Sequence, residues 1–325
     1  MSLVTEGFPK KESVIRIVSF LPSATEIVYA LGIGDQLHGV THECDYPPQA
    51  LDKPTIIRGL VETQDLSSGE IDEAVRESSA SGALLYQIDH EALKNIQPDI
   101  VLTQGLCDVC AVPTGQAMEA IEDLVEKPQV LSLHPHSLDG LFDDILAIGE
   151  VVGVTDRSEQ LVESLKSRRS RIVSRASMAA VKPTVVCLEW LDPLMVGGHW
   201  VPEMVELAGG VNSFGERGRE SYGIEWEQLM EAQPDCVVAM PCGFNVRRGI
   251  SEIQLLTDNT GWGTLPAAKY ERLFVVDGGA YFSRSGPRLL EGLEILAEIL
   301  HPELFAGFVP EASVSRIRGQ LFKVS

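Results

Sequence analysis

Cys107 and Cys110 are separated by two residues just past the apolar run DIVLTQG, and Cys242 follows DCVVAMP. His199 comes after LMVGG and His42 after HGVT. Thiolates and imidazoles are soft donors suited to zinc, ferrous iron or a cobalt-centred ligand. Cys107, Cys110, Cys242 and His199 are therefore the candidate metal set, provided the fold brings them to one place. Cys107 and Cys110 have no second such pair in the sequence, so a redox couple or ordinary buried thiols fit them as well. His199 taken alone also fits a structural imidazole. Cys187 and Cys236 lie inside apolar runs and Cys44 abuts a turn, where cysteine behaves as a small buried hydrophobe.

A repeating pattern must position these groups. RIVSF leads into the helical LPSATEIVYALG, and LHGVTHE, DIVLTQG and QVLSLHP are further strand-like runs bounded by turn residues. Strands alternating with helices imply parallel sheet, with the strand ends that carry the donors on one side. In the first unit Ser23 or Thr25 can cap a helix whose Ile27, Val28 and Leu31 share a face before Gly32 stops it. From Leu138 to about Met178 the periodicity is helical almost throughout. The strand-like TVVCLEW, DCVVAMP and RLFVVDG then restart the alternation, which ends in the amphipathic GPRLLEGLEILAEILHP. A long helix thus separates two αβ halves.

The halves echo each other. LKNIQPDIVLTQGLC and LMEAQPDCVVAMPCG share a helix end, a Gln-Pro-Asp turn, an apolar strand and a cysteine past it, which points to a duplicated ancestral lobe. The stretch from Glu62 to Gln87 breaks the alternation: it is serine-rich and acidic, with one helix expected at its centre and Ile71, Ala74 and Val75 inward. It reads as a surface insertion or as a lid near a cleft.

With 325 residues, 44% hydrophobic and 22% charged, the chain is long enough for two cores. Its formal charge is −21, with only a short Arg168, Arg169, Arg171 patch against it, so nucleic acid and anionic membrane are not expected partners. No run approaches the roughly 18 apolar residues of a membrane-spanning helix. MSLVTEGFPKKES has neither an apolar h-region nor a small-residue cleavage site, so a cytoplasmic location is expected. The alternative is a periplasmic protein in which Met1, Ser2 and Leu3 replace a removed signal. A monomer is expected, with no required cofactor. With no Ser/His/Asp spacing, Walker A loop or paired-carboxylate motif, catalysis is not.

Four segments, RIVSFLPSATEIVYALGIG, CDYPPQA, VGGHWVPEMVELAGGVNSFGE and YFSRSGPR, resemble in that order the substrate-binding proteins of ABC importers for cobalamin and ferric siderophores. The resemblance runs from about Arg16 to Pro302. It implies an α/β fold of two Rossmann-like lobes with parallel sheets, at 14–155 and 181–305, joined by a single long helix within 156–180. The ligand, cobalamin or another metal chelate such as an iron siderophore or haem, would sit between the lobes at the strand carboxyl ends. The resemblance also implies ligand contacts by Tyr46, Trp190, Tyr281, Phe282 and Arg284, flat aromatic faces being suited to a corrin or porphyrin ring. Ala280 stands where cobalamin binders carry an acidic residue, a departure from their pattern. Glu91 and Glu227 match glutamates that dock on permease arginines. Because fold does not decide function, two alternatives remain. One is a cytosolic metal or metal-cofactor binder or chaperone using the cleft Cys and His residues, and the other is a chelatase-like enzyme.

Overall fold

A computed structural model describes residues 15–61, 63–81, 83–105, 114–307 and 309–318. The first lobe is built on strands β1 (Ile17–Ser19), β2 (Leu37–Thr41), β3 (Thr55–Gly59), β4 (Tyr86–Ile88), β5 (Ile100–Gln104) and β6 (Gln129–Leu133). They lie in the order β4-β3-β2-β1-β5-β6. Every neighbouring pair is parallel except β3 with β4.

The second lobe uses β7 (Thr184–Leu191), β8 (Leu194–Val196), β9 (Val211–Asn212), β10 (Tyr222–Gly223), β11 (Cys236–Ala239), β12 (Leu273–Val276) and β13 (Val314–Ile317). The order is β10-β8-β7-β11-β12-β13, with β9 also on β7. Its centre is parallel, whereas β8, β10 and β13 run antiparallel to their neighbours. The expectation of parallel sheets thus holds for the strands that carry the cleft and departs at the edges. There β7 folds back on itself through Asp192 and Pro193, a connection that only antiparallel strands permit. The sheet also takes in Val314–Ile317, beyond 305.

One helix, Thr155–Ala176, links the lobes. Ser158, Val162, Leu165, Ile172 and Ala176 are buried at spacings of four, three, seven and four residues, the stripe that seats a helix on a core. That core is shared: Ile17 and Leu102 of the first lobe, Leu165 of the helix, and Val185 and Leu293 of the second belong to one cluster. Polar ties fix both sides. Arg169 Nη1 donates to Asp139 at 2.8 Å, while Arg168 Nε donates to Glu294 at 2.6 Å and its Nη1 to Glu291 at 3.0 Å. A linker clamped to both lobes leaves little freedom for a hinge.

The echo in the sequence is an echo in structure. Helices His90–Ile96 and Trp226–Ala232 each end in a left-handed glutamine, Gln97 at φ 47° and Gln233 at φ 44°. After the proline, Asp99 accepts the backbone N–H of Arg16 before β1, and Asp235 that of Thr184 on β7, both at 2.8 Å. The same short motif therefore aligns the two central strands in each lobe.

The irregular segment 62–87 holds the helix Ser68–Ser81, with Ile71 buried and Ala74 and Val75 half-buried. Its first turn reaches the other lobe: Ser68 N–H donates to Glu252 at 2.9 Å, and Ser68 C=O accepts Trp190 Nε1–H at 3.2 Å. It is a bridge between lobes rather than a free surface insertion.

Candidate ligand cleft between the lobes

Three groups of side chains meet where the lobes face each other. The first starts on the helix Pro22–Ala30, whose initial turn follows directly from β1 with Pro22 at a position where its missing N–H costs nothing. Glu26, on the same helix, is 3% exposed. Its carboxylate crosses to the second lobe, where Arg288 donates through Nε at 3.0 Å and Nη2 at 2.6 Å and Arg284 Nη1 lies 3.7 Å away. Burial pushes the Glu26 carboxyl above its ordinary range, and the hydrogen bond and charge of Arg288 oppose it. Arg284 also pairs with Asp45 and donates to Glu43 C=O at 3.0 Å. It is thus a tie between lobes through both of its terminal nitrogens.

The guanidinium of Arg288 lies 4.1 Å from the Tyr46 ring centre and 5.7 Å from that of Tyr281, the arrangement of a cation over aromatic faces. Tyr46 keeps 44% of its surface exposed. Phe282 is 3% exposed and sits in the shared core, its carbonyl accepting Trp200 Nε1–H at 2.7 Å. Its side chain packs into the core that both lobes share.

The second group surrounds Trp190 near the end of β7. Half-buried, it presents its ring edge-on to Phe244 at 5.2 Å. Arg248 lies 3.8 Å over Phe244 and donates to Thr63 C=O at 2.6 Å and Leu66 C=O at 2.9 Å in the first lobe.

The third group lines an open depression of about 630 Å³, formed by His136, Glu216, Gly218, Arg219, Glu220 and Tyr222, within the size range of single-ligand sites. His136 lies between β6 and the helix Leu138–Val151 of the first lobe. Across from it is His199 of the second, ring centres 5.8 Å apart. His199 has φ 52°. It is held there by its N–H to Arg219 C=O at 2.5 Å and its C=O from Gly218 N–H at 2.9 Å. Gly198 is needed beside it, because a Cβ there would come within 2.5 Å of Arg219 C=O. Burial, and then the charge of His136, hold the His199 imidazole below the usual histidine range.

The candidate metal set is not assembled among the described residues. Cys107 and Cys110 lie outside them. Cys242 is half-buried after β11, its N–H donating to Glu189 C=O at 3.0 Å, and no group of three or more His, Cys, Asp or Glu that could hold an ion occurs among the described residues. Glu91 and Glu227 are both exposed, each in the first turn of one copy of the repeated helix. Sequence reasoning missed Glu26, Arg288 and His136; HPH after the strand QVLSL was the only local signal for the last.

Residues 17–279 match the family of periplasmic binding proteins. An uncharacterized ABC transporter substrate-binding lipoprotein, YvrC of Bacillus subtilis (strain 168), is 25% identical over 305 residues, 91% of this chain and 82% of the relative. The vitamin B12-binding protein of Vibrio cholerae serotype O1 (strain M66-2) is 23% identical over 301 residues, 90% of each. A periplasmic heme binding protein from Pseudomonas aeruginosa superposes with a TM-score of 0.70 at 21% identity, covering 94% of this chain and 99% of that one; at that identity it attests the fold. These matches overturn the cytoplasmic expectation in favour of an extracytoplasmic location, since the family is periplasmic and one relative is a lipoprotein. They are binding proteins for transport, not an enzyme family. The match over most of its length, together with two sheets linked by one clamped helix, establishes that the chain belongs to the periplasmic binding protein family.

Proposed function

We propose that this protein is the substrate-binding component of an ABC importer and holds a metal chelate of the cobalamin, haem or ferric-siderophore kind between its lobes. The observation that carries the reading is the open depression between His136 of one lobe and Glu216 to Tyr222 of the other, on a frame whose linking helix restricts hinge motion. The relatives that bind vitamin B12 and heme share that frame. Visible absorption titrations of the purified protein with cobalamins, haemin and ferric chelates test it. A saturable spectral change with at least one of them supports the reading, and silence with all of them sinks it.

Trp190 and Tyr281 are the aromatic contacts we assign to the chelate, with Tyr46 near Tyr281 at the same Arg288 guanidinium; Arg284 acts by holding the lobes that carry them. Replacing both Trp190 and Tyr281 by alanine should weaken chelate affinity about tenfold or more, since each stacked ring contributes on the order of 1 kcal/mol. Unchanged affinity in the double variant would remove both from the site.

Glu91 and Glu227 are the contacts we assign to the permease, because the repeat places one on each lobe at equivalent positions. A glutamate in a first helical turn gains only about 0.3–1 kcal/mol from the helix dipole, so Glu91→Lys with Glu227→Lys should leave the fold and chelate affinity intact. Uptake in cells should be lost. Normal uptake by that double variant would show that docking does not use these charges.

A further inference from the structure

Two seams join the facing sides of the lobes, and they are built differently. Beyond the carboxyl ends of β1 and β12 the lobes meet directly. Ser23 and Ser285 are buried there with their hydroxyls 3.4 Å apart, and a Cβ at Gly286 would come within 2.8 Å of Glu26 Oε2. The doubly bonded Glu26–Arg288 pair completes that seam. Beyond the carboxyl ends of β7 and β11 the contact is made by segment 63–81, which follows the carboxyl end of β3 and crosses to the second lobe.

The second lobe holds this segment by its backbone. Arg248 donates to Thr63 C=O at 2.6 Å and Leu66 C=O at 2.9 Å; Glu252, on the same helix Val246–Glu252, accepts Ser68 N–H at 2.9 Å; Trp190 Nε1–H reaches Ser68 C=O at 3.2 Å. The helix Ser68–Ser81 packs more closely on β7 than on any element of its own lobe. Ile71 is the one buried apolar side chain described in 63–81, and it belongs to none of the three apolar cores. Ser68 Oγ and Glu252 Oε2 are sealed from solvent without a hydrogen-bond partner among the described residues, so the closed junction carries a desolvation cost. A segment with so little apolar burial and only a few polar ties stands at the low end of local stability.

Ligands of open α/β sheets bind at the strand carboxyl ends, and those of β7 and β11 are the ends that this segment covers. The linking helix, tied to Asp139 on one side and to Glu294 on the other, denies the lobes a wide hinge. Entry therefore requires a local opening. We infer that segment 63–81 is a gate: it lifts off β7 and the helix Val246–Glu252 to admit the ligand and closes again behind it, while the Glu26–Arg288 seam stays intact. This rests on the receptor reading above and adds the route by which the ligand enters. Because the gate is shut over both the empty and the loaded cleft, loosening it speeds entry and release alike.

A reversible cross-link tests the gate. A Cβ at Gly69 would lie 3.8 Å from Asp192 Cβ, within the span of about 3.5–4.5 Å that a disulfide requires. Gly69→Cys with Asp192→Cys, its pairing verified by peptide mapping, is mixed with haemin, cyanocobalamin or a ferric trihydroxamate, and the rates are followed by stopped-flow absorption; each single cysteine variant is the control. Oxidising the empty protein should slow association about tenfold or more, and oxidising the loaded protein should slow release as much. Reduction should restore both rates. Glu252→Ala removes one tie without a cross-link and should raise both rates about threefold or more, with Kd nearly unchanged. Rates indifferent to the disulfide and to Glu252→Ala overturn the gate and leave the receptor reading standing. A loaded protein in which the disulfide no longer forms also overturns it, because segment and ligand then exclude each other. If folded wild type binds none of the three probes, the receptor reading falls and the gate with it.

Discussion

Arg288→Ala should destabilise the protein by about 3–5 kcal/mol near pH 7, the cost of leaving a buried carboxylate without its partner. Glu26 is 3% exposed and receives two short hydrogen bonds from Arg288, at 2.6 and 3.0 Å, whereas Arg284 stands off at 3.7 Å and is shared with Asp45. Arg284 therefore cannot replace what is lost. The substitution also removes the cation over Tyr46, which adds at most about 1 kcal/mol at a partly exposed site. Glu26→Gln should rescue part of the loss, because a neutral amide is far cheaper to bury than an unpaired charge. The pair Arg288→Ala with Glu26→Gln should then be less destabilised than the sum of the singles by about 1–3 kcal/mol. Denaturant unfolding of the three variants measures this. Strict additivity, or a loss under about 1 kcal/mol in Arg288→Ala, would show that the contact does not hold the lobes together.

That prediction could not have been written from the sequence, and the reason is distance along the chain. The periodicity that made Pro22–Ala30 a helix is carried within a few residues, and so are the Gln-Pro-Asp turns and the long apolar stripe of Thr155–Ala176. All three were legible. Glu26 carries no local signal of burial, yet its carboxylate meets a partner 262 residues away. His136 and His199 meet by the same long-range route. Tyr281 and Phe282 are neighbours in sequence, but one stays half-exposed beside Arg288 while the other fills the core. A resemblance that matches the pair cannot tell which of the two is buried. The antiparallel edge strands were missed for a different reason: β10 is two residues long, β4 and β8 three and β13 four, too short for alternation to register.

Asp144→Asn should stabilise the protein at pH 8 by an amount on the order of 2–4 kcal/mol and leave it nearly unchanged at pH 4. Asp144 lies on the helix Leu138–Val151, with Oδ2 sealed from solvent and without a hydrogen-bond partner. Burial pushes its carboxyl up to about 7, the neighbouring Asp143 adds to the shift, and a backbone hydrogen bond from His134 only partly opposes them. The ordinary value is 3.8, so between about pH 4 and 7 the unfolded chain has lost this proton while the folded chain keeps it. The folded state binds more protons in that window, and stability must fall as pH rises through it. Below pH 4 both states are protonated and the site costs nothing; above pH 7 the penalty is complete, at most about 4 kcal/mol for a shift of roughly three units. Asparagine keeps an acceptor for His134 and cannot ionise. The 47 Asp and Glu residues of the chain make its overall pH dependence complex, but 46 of them are common to both proteins, so their contributions largely cancel in the difference between wild type and variant. Denaturant midpoints of the two proteins at each pH from 4 to 8 should therefore diverge steadily up to pH 7 and then run parallel. A gap that is the same at every pH would mean that Asp144 is already charged in the folded protein at acid pH and that its burial is no obstacle to ionisation.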